Sequence, residues 1–221
     1  MTWFKKLKIS QKTVSLYHGT HTGKNDANIA SFRQGIDLAK GKDYRQGIGL
    51  YGYPSFAAAS SVATQRAQDN ETKPMVVQID VPVTDITLDY EHQYPTLMQI
   101  LANNFDKFKM IPVIATPEGT IDTQKSRLNT SSNTISFQFT NGRRRSFGYG
   151  KSFDAGGIEA GSIVYAIIQA IERISPNIKK QLSNAVSESI KNNEAIKYTG
   201  DAVRPSAIYV SSDGNWSKIS L

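Results

Sequence analysis

The chain has 221 residues, 39% hydrophobic and 10% aromatic, which suffices for one sizeable packed domain and argues against disorder. It has no cysteine, which excludes disulfides, thiolate nucleophiles and cysteine-bound zinc, and its three histidines (His18, His21, His92) leave so little ligand material that no metal is expected. The net charge of +7 suits anionic ligands and acidic partners, with plain solubility as the ordinary reading.

The opening stretch Met1 to Ile9 carries Lys5, Lys6 and Lys8 but no apolar run of signal-peptide or membrane-span length, so no membrane partner is expected. Val14 to Tyr17 reads as a short strand. Asn25 to Gly35 reads as a helix with Ala27, Ile29, Ala30 and Phe32 near one face and Gly35 capping its end. Gly41, Gly47, Gly49 and Gly52 mark a loop region around a brief strand, Ile48 to Tyr51. Ser55 then starts a helix of small residues, which lets a neighbour approach closely.

Pro74 to Val81 sets Met75, Val77, Ile79 and Val81 against Val76, Gln78 and Asp80, a strand with one buried face. Pro95 to Phe108 has Leu97, Ile100, Leu101 and Phe105 at helical spacing. Met110 to Ala115 and Thr134 to Thr140 read as strands separated by a polar stretch, and Arg143-Arg144-Arg145 sits in a glycine-bounded turn. A helical pattern runs from Gly156-Gly157 toward Asn192 with Pro176 as a break. Two strands, Glu194 to Thr199 and Ser206 to Val210, flank a Gly200-Asp201 turn. With no repeat and no long linker, the composite is one α+β domain over residues 1–221.

The chemistry starts at Leu16-Tyr17-His18-Gly19-Thr20 and at Gly49-Leu50-Tyr51. Breaking the bond between nicotinamide and ribose needs a grip on the carboxamide, an aromatic face for the cationic ring and a carboxylate under the ribose. Gly19 lets backbone groups come close to a carboxamide, His18 can hydrogen-bond a ribose hydroxyl, and Tyr51 offers the aromatic face. A lone Tyr-His-Gly is a weak signal, and a strand histidine is more often a hydrogen-bonded core residue.

Taken together, the run from Tyr17 to Ala63 resembles the NAD-binding half of the diphtheria-toxin-like (His-Tyr-Glu) mono-ADP-ribosyltransferases. It shares a Tyr-His-Gly-Thr strand end, a helix closing on Gly35-Ile36, then Gly-aromatic-Tyr and an alanine-rich helix. The segment Asn192 to Tyr198, followed by Gly200 to Ile208, is similar to the family's catalytic stretch, in which a glutamate opens a strand. The resemblance implies a split β-sheet core with flanking helices, NAD as substrate, and His18, Tyr51 and Glu194 as catalytic residues. It puts Gly19 and Thr20 beside the histidine and Gly35 and Ile36 near the adenosine end. Glu159 rivals Glu194, and Glu118 ranks third; the ordinary reading of each is a solvated charge.

Many relatives carry a second tyrosine in the helix after the first, where this chain reads Ala57-Ala58-Ala59-Ser60-Ser61-Val62; Tyr53 or Phe56 then has to supply the second ring. Residue Asn192, two positions before Glu194, is a neutral amide where transfer to arginine often uses an acid, so a hydroxyl acceptor is implied. The likeness is nearest to bacterial effectors that modify a threonine of host ubiquitin. That implies export without a cleavable signal peptide, action in host cytosol, and residues 109–155 as an insertion that recognises the acceptor. Transfer involving nucleic acid, which the basic balance also permits although nucleic acid is not the expected partner, and a noncatalytic basic binding module are the alternatives.

Overall fold

The computed structural model describes residues 12–36, 38, 49–89, 93–149 and 157–221, with backbone alone for 157–159. His92, the lysines near the start, Gly41, Gly47, Ile48, Gly156 and the side chain of Glu159 lie outside the described residues.

In chain order the elements begin with β1 (Thr13–His21), α1 (Ala27–Gln34), β2 (Leu50–Gly52), α2 (Phe56–Asp69), β3 (Pro74–Pro82) and β4 (Ile86–Leu88). Next come α3 (Tyr94–Asn103), α4 (Phe105–Lys109), β5 (Val113–Thr116), β6 (Gly119–Asn129), β7 (Thr134–Phe139) and β8 (Arg144–Gly148). The chain ends with α5 (Gly157–Glu172), α6 (Pro176–Lys191), β9 (Ile196–Tyr198), β10 (Ala207–Ser212) and β11 (Asn215–Ile219). The class is α+β, with strands in sheets of order β1-β3-β10-β11, β2-β9-β4 and β5-β6-β7-β8.

Two compact units share the chain. The first holds β1, α1, α2, β3, β10 and β11. Antiparallel pairing runs His18 against Val77 and Ile208 against the same Val77, so β3 lies between the two ends of the sequence. Alanines at Ala59, Ala63 and Ala67 recur every fourth residue, all buried, and put the smallest face of α2 on this sheet. That contact corrects the one-sided reading of β3: Val76, expected on the open face, is fully buried with Ala59 and Ala63.

The second unit holds β2, β4 to β9 and α3 to α6. Helix α5 buries Ile163, Val164, Ile167, Ile168 and Ile171 almost completely, more than one stripe of its surface. The single helix expected over Pro95 to Phe108 is two, because Asn104 turns its amide back onto the Ile100 carbonyl at 2.7 Å and onto Gln181 at 3.0 Å. The polar stretch before Thr134 contains β6, an eleven-residue strand whose pairing with β7 shifts between Asp122 and Arg127. Its hydroxyl-rich sequence hides a buried alternation of Ile121 and Thr123.

Candidate active site

In the first unit, Tyr17 exchanges two backbone hydrogen bonds of 2.8 Å with Tyr53 on the side of β1 away from β3. Both backbone groups of a strand residue in an antiparallel ladder point the same way, and the direction alternates, so Gly19 presents its N–H and C=O on that outer side as well. Arg66 of α2 donates its Nη1 to the Gly19 carbonyl at 2.9 Å. A carbonyl oxygen has two lone pairs, so this bond leaves it able to accept a second donor.

The missing side chain at Gly19 has a second use. A Cβ there would lie 2.1 Å from the Ala59 carbonyl oxygen and 2.9 Å from the Ala63 nitrogen, so the glycine is what allows β1 and α2 to touch. His18 points to the opposite face, half-buried, its ring 6.1 Å from that of Phe32 in α1. Thr20 is buried on that same face.

Gly35 takes a φ of +117, and Ile36 beside it is buried and donates its N–H to Val203 at 2.8 Å. A left-handed backbone favours glycine, so Gly35 ends α1 and turns the chain into that bridge. Phe56 lies edge-on to three rings, 5.8 Å from Tyr17, 5.1 Å from Tyr209 and 5.3 Å from Trp216. Its ring is thus part of an aromatic cluster that seats the start of α2. Tyr53, like Phe56, packs against Ala59, Ala63 and Val76.

In the second unit, β2 carries Tyr51, and β9 begins two residues after Glu194; the two strands are hydrogen-bonded neighbours. The Glu194 side chain is exposed, yet its Oε2 accepts hydrogen bonds from Gln93 Nε2 at 2.9 Å and Ser189 Oγ at 3.0 Å. Gln93 and Ser189 are both buried, and the serine hydroxyl also lies 2.6 Å from Gln93 Oε1. The Glu194 N–H bonds the Ser189 carbonyl at 2.9 Å, so α6 ends by turning this glutamate back onto its own last turn. One carboxylate oxygen is therefore anchored by neutral donors, an arrangement that fixes an anion in space.

Three residues further along the chain is Lys197, fully buried in the middle strand of its sheet. Its Nζ stands 5.6 Å from the centre of the Tyr51 ring and 4.9 Å from that of Tyr165 in α5. Burial pushes this ammonium down to about 8, partly offset by the buried Asp89 carboxylate. Burial also raises the Tyr165 phenol.

Comparison with protein-family models, curated proteins and solved structures returned no match. Among the described residues, no group of three or more metal-ligating side chains is present, and no helix is long and apolar enough to cross a membrane.

The structure distributes the expected residues as follows: His18, Gly19, Thr20, Gly35, Ile36, Tyr53 and Phe56 fall in the first unit, Tyr51 and Glu194 in the second. Glu118 is a turn residue whose carbonyl accepts a hydrogen bond from Arg143 and whose carboxylate lies 4.0 Å from the same guanidinium. Gln93, Ser189 and Lys197 went unread in the sequence. Each looks ordinary there, and only Lys197 carried a local signal: a lysine inside the strand segment after a candidate catalytic glutamate.

Proposed function

We propose that this chain is a mono-ADP-ribosyltransferase that takes NAD as substrate and transfers ADP-ribose to a hydroxyl of a protein acceptor, for which a threonine of ubiquitin is the specific suggestion. The adjacency of β2 and β9 carries the reading, because it sets the strand of Tyr51 beside the strand that Glu194 leads into, from positions more than a hundred residues apart. The His-Tyr-Glu resemblance asks for this pair.

In this reading the nicotinamide ring stacks on Tyr51 and Glu194 accepts a hydrogen bond from the ribose 2′-hydroxyl. The bond from C1′ to the ring nitrogen breaks, its electron pair stays on the nitrogen, and nicotinamide leaves neutral. Positive charge then rests on the ribose, where the Glu194 carboxylate stabilises it more than in the ground state. The acceptor oxygen bonds C1′ and its proton passes to water. The neutral Asn192, which ends α6, is consistent with a hydroxyl rather than a guanidinium acceptor.

Incubation with NAD, chromatography for released nicotinamide and mass spectrometry of the acceptor test the reading. A carboxylate about 4 Å from a developing cation is worth about 4 kcal/mol at an effective dielectric constant near 20. Glu194→Gln should therefore lower kcat by about 10²- to 10³-fold. Wild-type protein that releases no nicotinamide, or a variant as fast as wild type, refutes it.

A further inference from the structure

The feature that the proposed transfer leaves unused is the buried ammonium of Lys197, held between the rings of Tyr51 and Tyr165. A lysine is almost never wholly buried without a reason, because removing its charge from water is costly. The packing alternative is specific: an apolar side chain of similar length would fill the same space without that cost. What methionine or leucine lacks is a positive charge against the ring of Tyr51.

We infer that Lys197 is a positioning residue that sets the charge preference of the Tyr51 ring, weakening its hold on the cationic ring of intact NAD more than its hold on neutral nicotinamide. The inference rests on the proposed role of Tyr51. A ring has two faces, and Lys197 stands over one of them at 5.6 Å. A flat ligand stacked on the other face, ~3.5 Å from the tyrosine, would lie roughly 9 Å from the ammonium. At the effective dielectric constant of protein interiors, repulsion over that distance corresponds to about 20-fold in affinity for a cationic ligand, and a neutral ring escapes it. The buried Asp89 carboxylate, which acts on the same lysine, offsets part of this, leaving about three- to tenfold.

The same charge acts on the reaction in one direction. Bond cleavage moves the positive charge from the nicotinamide ring to the ribose, away from Lys197 and toward Glu194. Repulsion is largest in the ground state and relaxes in the transition state, so the lysine raises kcat and KM together. Glu194 attracts the charge at its destination, and Lys197 expels it from its origin.

The experiment uses two probes of one shape, neutral nicotinamide and the 1-methylnicotinamide cation, titrated calorimetrically into the full chain. The ratio of neutral-ring to cation affinity should be about three- to tenfold higher in wild type than in Lys197→Met. Lys197→Arg, which keeps a charge, should hold the ratio near the wild-type value. With NAD, Lys197→Met should lower kcat and KM together. A merely structural lysine would leave the ratio of the two probes unchanged in every protein that still folds. Lys197→Met with an unaltered ratio overturns the inference, even where wild type consumes NAD. Wild type that binds neither probe and releases no nicotinamide overturns the transferase reading itself, and this inference with it.

Discussion

Replacing Gly19 with alanine tests how much of the Tyr-His-Gly strand end is architecture. The added Cβ would stand 2.1 Å from one backbone atom of α2 and 2.9 Å from another, and neither belongs to a side chain that can swing aside. Relief requires β1 and α2 to part by on the order of 1 Å, loosening the contact in which Ala59, Ala63 and Val76 are fully buried. Overpacking of this kind costs about 1–3 kcal/mol, and the backbone character of the clash puts Gly19→Ala at the upper end, about 3 kcal/mol. For a chain of this size each kcal/mol moves Tm by about 2–4 °C, so a fall of about 6–12 °C is expected by circular dichroism. Gly142→Ala is the control: its φ is +88, but nothing lies within 4 Å, so only the left-handed strain of about 1–2 kcal/mol applies. A Gly19→Ala protein that melts no lower than Gly142→Ala would refute this reasoning and leave ligand approach as the reason for the glycine.

Three further outcomes follow from the same contacts. Ser189→Ala removes one donor from Glu194 Oε2 and should lower nicotinamide release about 3- to 10-fold, while the buried Gln93 Oε1 it strands costs about 1–3 kcal/mol of stability; an unaltered kcat in the folded variant would show that the anchor is idle. Phe56→Ala empties the centre of a three-ring cluster and should cost about 2–3 kcal/mol, its half-buried setting keeping it below the full-burial range, a loss read from urea midpoints. Lys197 makes stability depend on pH: the unfolded chain holds its proton up to 10.5 while the folded chain releases it near 8, so the unfolded state binds more protons between the two. Stability from this group therefore rises with pH above about 8 and is lost as pH falls through that value, with a ceiling of roughly 3 kcal/mol. The wild-type urea midpoint should gain on that of Lys197→Met between about pH 7 and pH 9.5, and a constant difference would show that the buried amine keeps its ordinary proton affinity.

Local pattern alone was enough for much of the element list. The run around Val14 to Tyr17, the small-residue helix after Ser55, the strand at Pro74 and the Pro176 break between two helices all stand where the sequence puts them, with ends moved by a few residues. The elements it concealed were those whose polarity imitates a loop. Strand β6 is rich in threonine, serine and lysine, and Arg144 and Arg145, read as part of a turn, lie in the edge strand β8. A charged strand is tolerated at a sheet edge, where its side chains stay in water.

The chain's own residues also determined the candidate side chains: a histidine and glycine at one strand end, a tyrosine after a glycine, a glutamate ahead of a strand. Those choices rest on residue type and short spacing, which neighbours in sequence can express. Tertiary structure alone decided that the strands flanking Gly200-Asp201 separate into different sheets, with β9 beside β2 and β10 beside β3. It alone brought Gln93 and Ser189 to Glu194, and it alone buried Lys197 against Tyr51. Strand pairing and burial depend on which distant surfaces meet, and a hydrophobic period records only that a face will be covered, not what will cover it.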